Sequence, residues 1–441
     1  MKARFLHLAD CHLGYRQYNN AERYNDFARA FLAVIDVAIQ EKVDFVVLAG
    51  DLFEKRSIEA LTLNQAMIGL ERLRAANIPC IAVEGNHELV YHHETIGWMQ
   101  FLANRQLLIL LNPTFEAGEV RLSPYTKRKG SYIDVAPGLR VHGLRYYGSG
   151  TAAAVESYAK ALADLPSDNI EYAIFIAHAG VEGVLTGQSG GLSYRQWSVL
   201  HPQVDYLALG HIHKPFEFDH WIYNPGSPET CSAMETSWPQ RGYYLVEVDT
   251  ARERAEEEPK HVATLCANPR REFHRLSIKT DLFTSPADMF AYCQEYLPRK
   301  ARDLGVHKLG ADSRPIVELQ LTGVLPFSRN VLDMGSLETL VEESFQPLVV
   351  LVKNATHPVD FAVETGEGIS RPELERKILT DLLGRDARYR NQGDQWVDLT
   401  LALKKLALGG AGAEAILEEL AGQLRALNEP KPERVELSDP S

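Results

Sequence analysis

Five short strings carry residue types suited to holding divalent metal ions. They are Asp10-Cys11-His12, Gly50-Asp51, Gly85-Asn86-His87, Ala177-His178 and Gly210-His211-Ile212-His213. Carboxylate, imidazole and amide make a mixed oxygen and nitrogen set, better matched to Mn²⁺, Fe²⁺ or Zn²⁺ than to Ca²⁺ or Mg²⁺. Two ions held close together need one anionic bridge, and Asp51 is the natural candidate. Such a pair clamps the attacking and leaving oxygens of an in-line displacement. Residues two apart in extended backbone point the same way, so Asp10 and His12, like His211 and His213, are expected to reach one metal region. The glycines at 50, 85 and 210 predict sharp turns. Each string alone is common in turns and caps; five of them in this order, each at a strand end, point to a site.

The elements that must position these strings are legible around them. Arg4–Ala9, Phe45–Ala49, Cys80–Val83, Ala173–Ala177 and Tyr206–Leu209 are apolar runs of strand length. Ala21–Gln40 places Phe27, Phe31, Ile35 and Ala38 at helical spacing. Strand alternating with helix predicts an α/β domain, and the crevice beyond the carboxyl ends of its strands is where ligands bind. Gly138–Leu144 and Tyr243–Val248 add strands for a two-sheet sandwich over residues 1–250. The charged run Ala251–Pro259 reads as a linker or a solvated hairpin tip. Residues 270–357 follow a β-α-β-α-β order, with strands at Arg271–Lys279, Pro315–Leu321 and Leu348–Val352 and helices at Ser285–Leu297 and Ser336–Phe345. Helices are predicted over Arg371–Leu383, Gln395–Leu408 and Ala413–Leu427, within a tail spanning 370–428. The Pro- and Glu-rich stretch at 429–441 is expected to be disordered. No internal repeats are evident.

Together, the five strings resemble the motif set of the calcineurin-like metallophosphoesterases. Ala9-Asp10-Cys11-His12-Leu13-Gly14-Tyr15, Ala49-Gly50-Asp51-Leu52-Phe53 and Asn224-Pro225-Gly226-Ser227 look like the SbcD/Mre branch, the nuclease subunits of double-strand-break repair complexes. The resemblance implies a four-layer α/β/β/α sandwich, a smaller α+β DNA-capping domain and a helical C-terminal tail. It implies one metal bound by Asp10, His12, Asp51 and His213, and a second by Asp51, Asn86, His178 and His211. His87 would face the scissile phosphate and stabilise the transition state or protonate the leaving oxygen. The expected cofactors are two Mn²⁺, with Fe²⁺, Mg²⁺ or Zn²⁺ as substitutes. The activity implied is 3′–5′ exonuclease action on duplex DNA ends and endonuclease action on single strands or hairpins. An SbcC-like coiled-coil ATPase, docked on the tail helices, would be the partner, and helices at Ala60–Ala75 and His93–Ala103 would form a homodimer. Two departures stand out: Glu88 follows Gly-Asn-His where Asp is frequent, and Glu54 stands where some members carry histidine. Two rivals are a nucleotide or phosphoprotein phosphodiesterase or phosphatase with the same site, and a non-catalytic DNA-clamping scaffold.

Composition bounds the rest. The formal charge of −13 argues against nucleic-acid binding through a global positive field, so DNA contacts must be local or supplied by a partner. Tyr15 and Arg16, and the basic cluster Lys127-Arg128-Lys129, are the candidate DNA contacts, with a loop surface and a hairpin tip as their plain alternatives. Five cysteines without a CxxC pair predict reduced thiols. No apolar run approaches the roughly 18 residues of a membrane span, and the first residues lack a leader pattern, so no membrane association and a cytoplasmic location are expected. His92 and His93 are assigned to a loop or helix surface, and His7, His142, His201 and His220 to hydrogen-bonded core positions.

Overall fold

Alternation at period two decides which side of a strand faces which layer. In β1 (Lys2–Leu8), Phe5 points to one face and Leu6 and Leu8 to the other. The computed structural model describes residues 1–91, 95–167, 169–185, 191–251, 258–358, 370–385, 389, 392–409 and 412–428. The expected disordered tail, residues 252–257 of the charged run, and His92 and His93 lie outside these.

One six-stranded sheet runs β14-β13-β1-β2-β3-β4, built from β1, β2 (Phe45–Leu48), β3 (Cys80–Ala82), β4 (Ile109–Leu110), β13 (Gly242–Asp249) and β14 (His261–Ala267). The second, β11-β12-β10-β9-β8-β7, uses β7 (Tyr132–Ala136), β8 (Leu139–Leu144), β9 (Tyr172–Ala177), β10 (Tyr206–Leu209), β11 (Phe216–Phe218) and β12 (Ile222–Asn224). A short hairpin, β5 (Thr114–Glu116) and β6 (Glu119–Arg121), precedes it. Strands β1 to β4 are parallel, as are β8, β9, β10 and β12.

Three apolar clusters define four layers. Phe5, Val47 and Ile81 meet Val141, Ile174, Ile176 and Tyr206 between the sheets. On the outer face of the first sheet, Leu6, Val46 and Leu48 pack with Phe31, Val34 and Ile35 of α1 (Ala21–Gln40), Leu70 and Leu73 of α2 (Ala60–Ala75), and Met99 and Leu102 of α3 (Trp98–Asn104). On the outer face of the second, Phe175, Leu207 and Leu209 pack with Val155 and Tyr158 of α4 (Thr151–Ala163) and Trp197 of α5 (Tyr194–Trp197). The result is the expected α/β/β/α sandwich. Helix α1 starts at Asn20, whose side chain accepts from the Glu22 amide at 2.8 Å.

Four expectations change. The strand β14 was not foreseen; it pairs antiparallel with β13, which agrees with the hairpin reading of the charged run and not with the linker reading. Helix α3 begins at Trp98, with Gly97 as its N-cap, and not at His93. Asp10 and His12 are not extended (φ 54° and 48°), so their convergence has another origin. His201 and His220 are exposed: one ring lies on Trp221, the other pairs with Glu217 at 2.6 Å. His7 and His142 are buried and hydrogen-bonded, to Tyr206 and Leu209 and to Tyr158.

The described chain forms two compact units. The first comprises Met1–Ile278, Ala287–Thr322 and Asp333–Ala355. Beyond the sandwich it holds the three-stranded sheet β15 (Phe273–Lys279), β16 (Ile316–Thr322) and β18 (Val349–Asn354), with α6 (Pro286–Asp303) and α7 (Met334–Phe345). That is the β-α-β-α-β order expected of 270–357, with α6 running past Pro298. The second unit comprises Lys279–Pro286, Gly323–Leu332 and the chain from Thr356. It contains the pair β17 (Val324–Leu325) and β19 (His357–Pro358), and helices α8 (Arg371–Arg385), α9 (Gly393–Leu408) and α10 (Ala413–Asn428). No described helix is long and apolar enough to cross a membrane.

Candidate metal centre

Every donor string follows the carboxyl end of a parallel strand: Asp10 and His12 after β1, Asp51 after β2, Asn86 and His87 after β3, His178 after β9, and His211 and His213 after β10. Two of these loops continue the sheet ladder beyond its strands. Asp10 N donates to Gly50 O and His12 N to Asp51 O, both at 3.1 Å. Four donor residues have left-handed backbone: Asp10, His12, Asp51 (φ 51°) and His211 (φ 80°). A non-glycine residue in that region costs about 1–3 kcal/mol and persists only where its surroundings hold it. Here the hold is visible. Glu88, buried, accepts from Gly85 N at 2.7 Å, Phe53 N at 2.9 Å and Asp51 N at 3.1 Å, stapling the β2 and β3 loops together. Of the three glycines expected to turn, Gly50 alone has positive φ. Gly85 instead admits a close approach, since a Cβ there would sit 2.1 Å from Asp51 Oδ1.

The side chains converge on Asp51. Its Oδ2 lies 3.1 Å from His178 Nε2 and 3.9 Å from the Nε2 atoms of both His12 and His87. Asn86 Oδ1 stands 3.0 Å from His178 Nε2 and 3.0 Å from His211 Nδ1. His12 Nε2 and His213 Nε2 are 3.0 Å apart. Asp10 accepts the His211 backbone N–H at 2.9 Å. Two clusters emerge around the shared carboxylate, Asp10–His12–Asp51 with His213 alongside, and Asp51–His178–His211 with Asn86 alongside. The donor chemistry fits two divalent cations: facing imidazole nitrogens and buried carboxylates are mutually satisfied when a cation lies between them.

The titration of these groups reflects the same crowding. Burial raises the Asp51 carboxyl, but His178, then His12 and His87, outweigh it and hold it well below the usual range. Burial lowers His178, while Asp51 beside it carries the ring up to about 9. His211 is pulled down to about 4 by burial, with His178 adding to it. Burial, then the Asp51 carboxylate, push Glu88 up.

His87 stands apart. Its backbone N–H donates to Asp51 Oδ1 at 3.1 Å, and Nδ1 hydrogen-bonds to the Glu54 carbonyl. A third of its side chain is exposed, its Nε2 lies 3.9 Å from Asp51 Oδ2, and the ring stands with His12 and Glu54 in a further group whose atoms could hold a metal. Glu54 puts Oε2 2.9 Å from His12 Nδ1, outside hydrogen-bond geometry but within ion-pair reach.

The candidate DNA contacts are more scattered. Tyr15 is half-buried against Phe27, and Arg16 is paired with Glu59 at 3.0 Å and lies over the Tyr24 ring. Lys127 and Arg128 form a tight turn, closed by Thr126 and Lys129, on the rim of a cavity of about 520 Å³. That cavity is lined by Pro79, Cys80, Leu108 and Ile109, at the starting ends of β3 and β4. The candidate donors follow the finishing ends, so the basic cluster lies toward the opposite end of the strands from them. Sequence reasoning singled out Glu54 without giving it a place, and missed Cys231, Glu235 and Tyr146. Cys231 Sγ clusters with His12 and His213, and the Tyr146 ring lies 5.5 Å from His211. Tyr146 had a signal: it follows β8, another parallel strand.

Residues 3–215 match the family described as calcineurin-like phosphoesterase. This stretch, just under half of the chain, is a calcineurin-like phosphoesterase domain. Curated relatives of the chain include proteins named DNA double-strand break repair protein Mre11. The chain is 33% identical to that of Archaeoglobus fulgidus over 248 residues, 53% of this chain and 52% of that protein. It is 30% identical to that of Saccharolobus solfataricus over 208 residues, 47% of this chain and 49% of that one. It thus spans about half the length of these relatives. Among solved structures, calcineurin-like phosphoesterase YfkN from Bacillus subtilis aligns over 59% of this chain and 90% of that one, with 14% identity and a TM-score of 0.38.

Proposed function

We propose that this chain is a Mn²⁺-dependent DNA nuclease that hydrolyses phosphodiesters at double-strand breaks, working with a coiled-coil ATPase of the SbcC type. The observation that carries the reading is the convergence of side chains from five strand ends around Asp51, with His87 beside them and a third exposed. Asp10, His12, Asp51 and His213 would hold one ion; Asp51, Asn86, His178 and His211 the other. Bound there, two divalent ions supply a water of lowered pKa and neutralise charge on the phosphate. The chain's own residues do the rest. Asp51 keeps its charge and serves both positions. His87, held by the Glu54 carbonyl through Nδ1, presents Nε2 to the phosphate and gives a proton to the leaving oxygen. The DNA specificity is supported by the names of the relatives and by the strings shared with the SbcD/Mre branch.

The test is a Mn²⁺ titration on blunt duplex, hairpin and single-stranded DNA, with and without the ATPase, beside p-nitrophenyl phosphodiesters and cyclic nucleotides. Cleavage of DNA ends and hairpins is expected. Turnover of only the small esters would transfer the chain to the phosphodiesterases of nucleotides, and two bound ions without any cleavage would make it a scaffold.

A further inference from the structure

Asn224-Pro225-Gly226-Ser227 supplies no metal donor, and the chemistry above leaves the string without a task. In the structure it wraps the loop that presents His213. The Asn224 side-chain amide donates to the carbonyls of Ile212 and, at 2.9 Å, Lys214, the residues on either side of His213. Gly226 passes so close that a Cβ there would lie 2.4 Å from the His213 carbonyl oxygen. Ser227 Oγ donates to Glu235 Oε2 at 2.8 Å, and Glu235 Oε1 accepts from His213 Nδ1 at 2.9 Å. The Cys231 amide donates to the same Oε2 at 3.0 Å, and Arg241 stands 3.4 Å from it. Ser227, Glu235 and Arg241 are all buried.

A carboxylate on the far nitrogen of a ligating histidine fixes its tautomer and ring plane. With the proton held on Nδ1 by Glu235, the Nε2 lone pair of His213 aims at the gap it shares with His12 Nε2, 3.0 Å across. Main-chain clamps on both neighbours leave the ring little freedom to swing away. We propose that Glu235, supported by Ser227 and Asn224, is the positioning residue of His213: it holds Nε2 at the first metal position without itself touching the ion. This rests on the two-metal reading above.

The same buried network offers an internal control. Arg241 reaches Thr230, whose carbonyl accepts from Arg23 at 2.9 Å, and Arg23 donates to Asp26 at 2.6 Å. Asp26 belongs to the ionic chain yet has no contact with Glu235 or His213. The experiment measures Mn²⁺ stoichiometry and both affinities by calorimetry and by the electron-spin signal of free Mn²⁺, together with melting of the metal-free protein. It uses the full chain and the variants Glu235→Ala, Glu235→Gln, Ser227→Ala and Asp26→Asn. Glu235→Ala is expected to weaken one of the two ions by about 10–100-fold and leave the other unchanged. Glu235→Gln, whose amide oxygen still accepts from Nδ1, recovers part of that loss, and Ser227→Ala shows a smaller loss at the same ion. Asp26→Asn melts earlier with both affinities intact. Unchanged affinities in Glu235→Ala overturn the proposal, as does an equal loss in Asp26→Asn, which would mark general loosening. If Glu235→Ala does not fold, Ser227→Ala decides: wild-type affinities there overturn the proposal. A wild-type chain that takes up no Mn²⁺ refutes the two-metal reading itself, a separate result.

Discussion

Asp51 and His87 sit 3.9 Å apart yet are expected to fail in different ways. Among the described residues Asp51 is the one carboxylate that belongs to both clusters, so Asp51→Asn removes the charge that two cations would share. It is expected to abolish binding at both positions in a Mn²⁺ titration; one full-strength site surviving would refute the bridge. His87 has its Nδ1 hydrogen-bonded to a backbone carbonyl and is assigned to neither ion in the two-metal reading, so His87→Gln is expected to keep both ions while lowering turnover by about 10²–10⁴-fold, the usual worth of a general acid. A variant that loses metal in the same titration would assign His87 to the ligands. The donors were legible because strand-end Asp, Asn and His residues have few structural uses when five such strings coincide. Glu235 was not, because an orienting carboxylate obeys no spacing rule: it lies 22 positions from the ring it holds. The extended-backbone argument for Asp10 and His12 reached the right neighbours through the wrong conformation.

Among the elements, β1 and β10 carry the loops of both sheets to the centre, and His7 ties them together. Its Nε2 bonds to Leu209 O and its Nδ1 to Tyr206 OH, each at 3.0 Å. Burial pushes the His7 ring down to about 3, and His142, bonded to Tyr158, is likewise lowered to about 3 by burial. The folded pKa is below the unfolded value of about 6.5. The stability these rings confer is therefore complete above that pH and is lost progressively as pH falls from there toward 3. His7→Leu leaves Tyr206 OH and Leu209 O without this partner, at a cost of about 1–3 kcal/mol at neutral pH. It also removes one of the titrating groups. Urea unfolding at a series of pH values is expected to show a less stable variant with a shallower acid slope; an unchanged slope would free His7 of this role. The histidine's burial was readable from its place within an apolar run, but its partners were not, since they come from a strand some two hundred residues away.

For the whole molecule, the sandwich was legible to about residue 250, where a charged run resembled a linker. The pairing of β13 with β14 selects the hairpin reading over the linker: charged residues suit a connection between neighbouring strands as well as a domain boundary, so composition alone could not choose. The tail helices pose a related question, because a leucine stripe reads alike whether it packs internally or meets a partner. Here α8 and α10 each pack with α9, yet Ile378 and Leu382, four apart and so on one face of α8, are 40% and 46% exposed, and Leu417 of α10 is 61% exposed. A net charge of −13 makes unaided retention on a DNA polyanion costly, and a partner gripping the tail would relieve that cost. Leu382→Glu combined with Leu417→Glu is therefore expected to abolish co-elution with the coiled-coil ATPase. Both positions are solvent-facing, so Mn²⁺-dependent hydrolysis of a small phosphodiester should stay at the wild-type rate. Retained co-elution at full strength would return these leucines to the ordinary surface. A parallel loss of small-ester hydrolysis would mean that the tail serves the fold of the catalytic unit and not a partner.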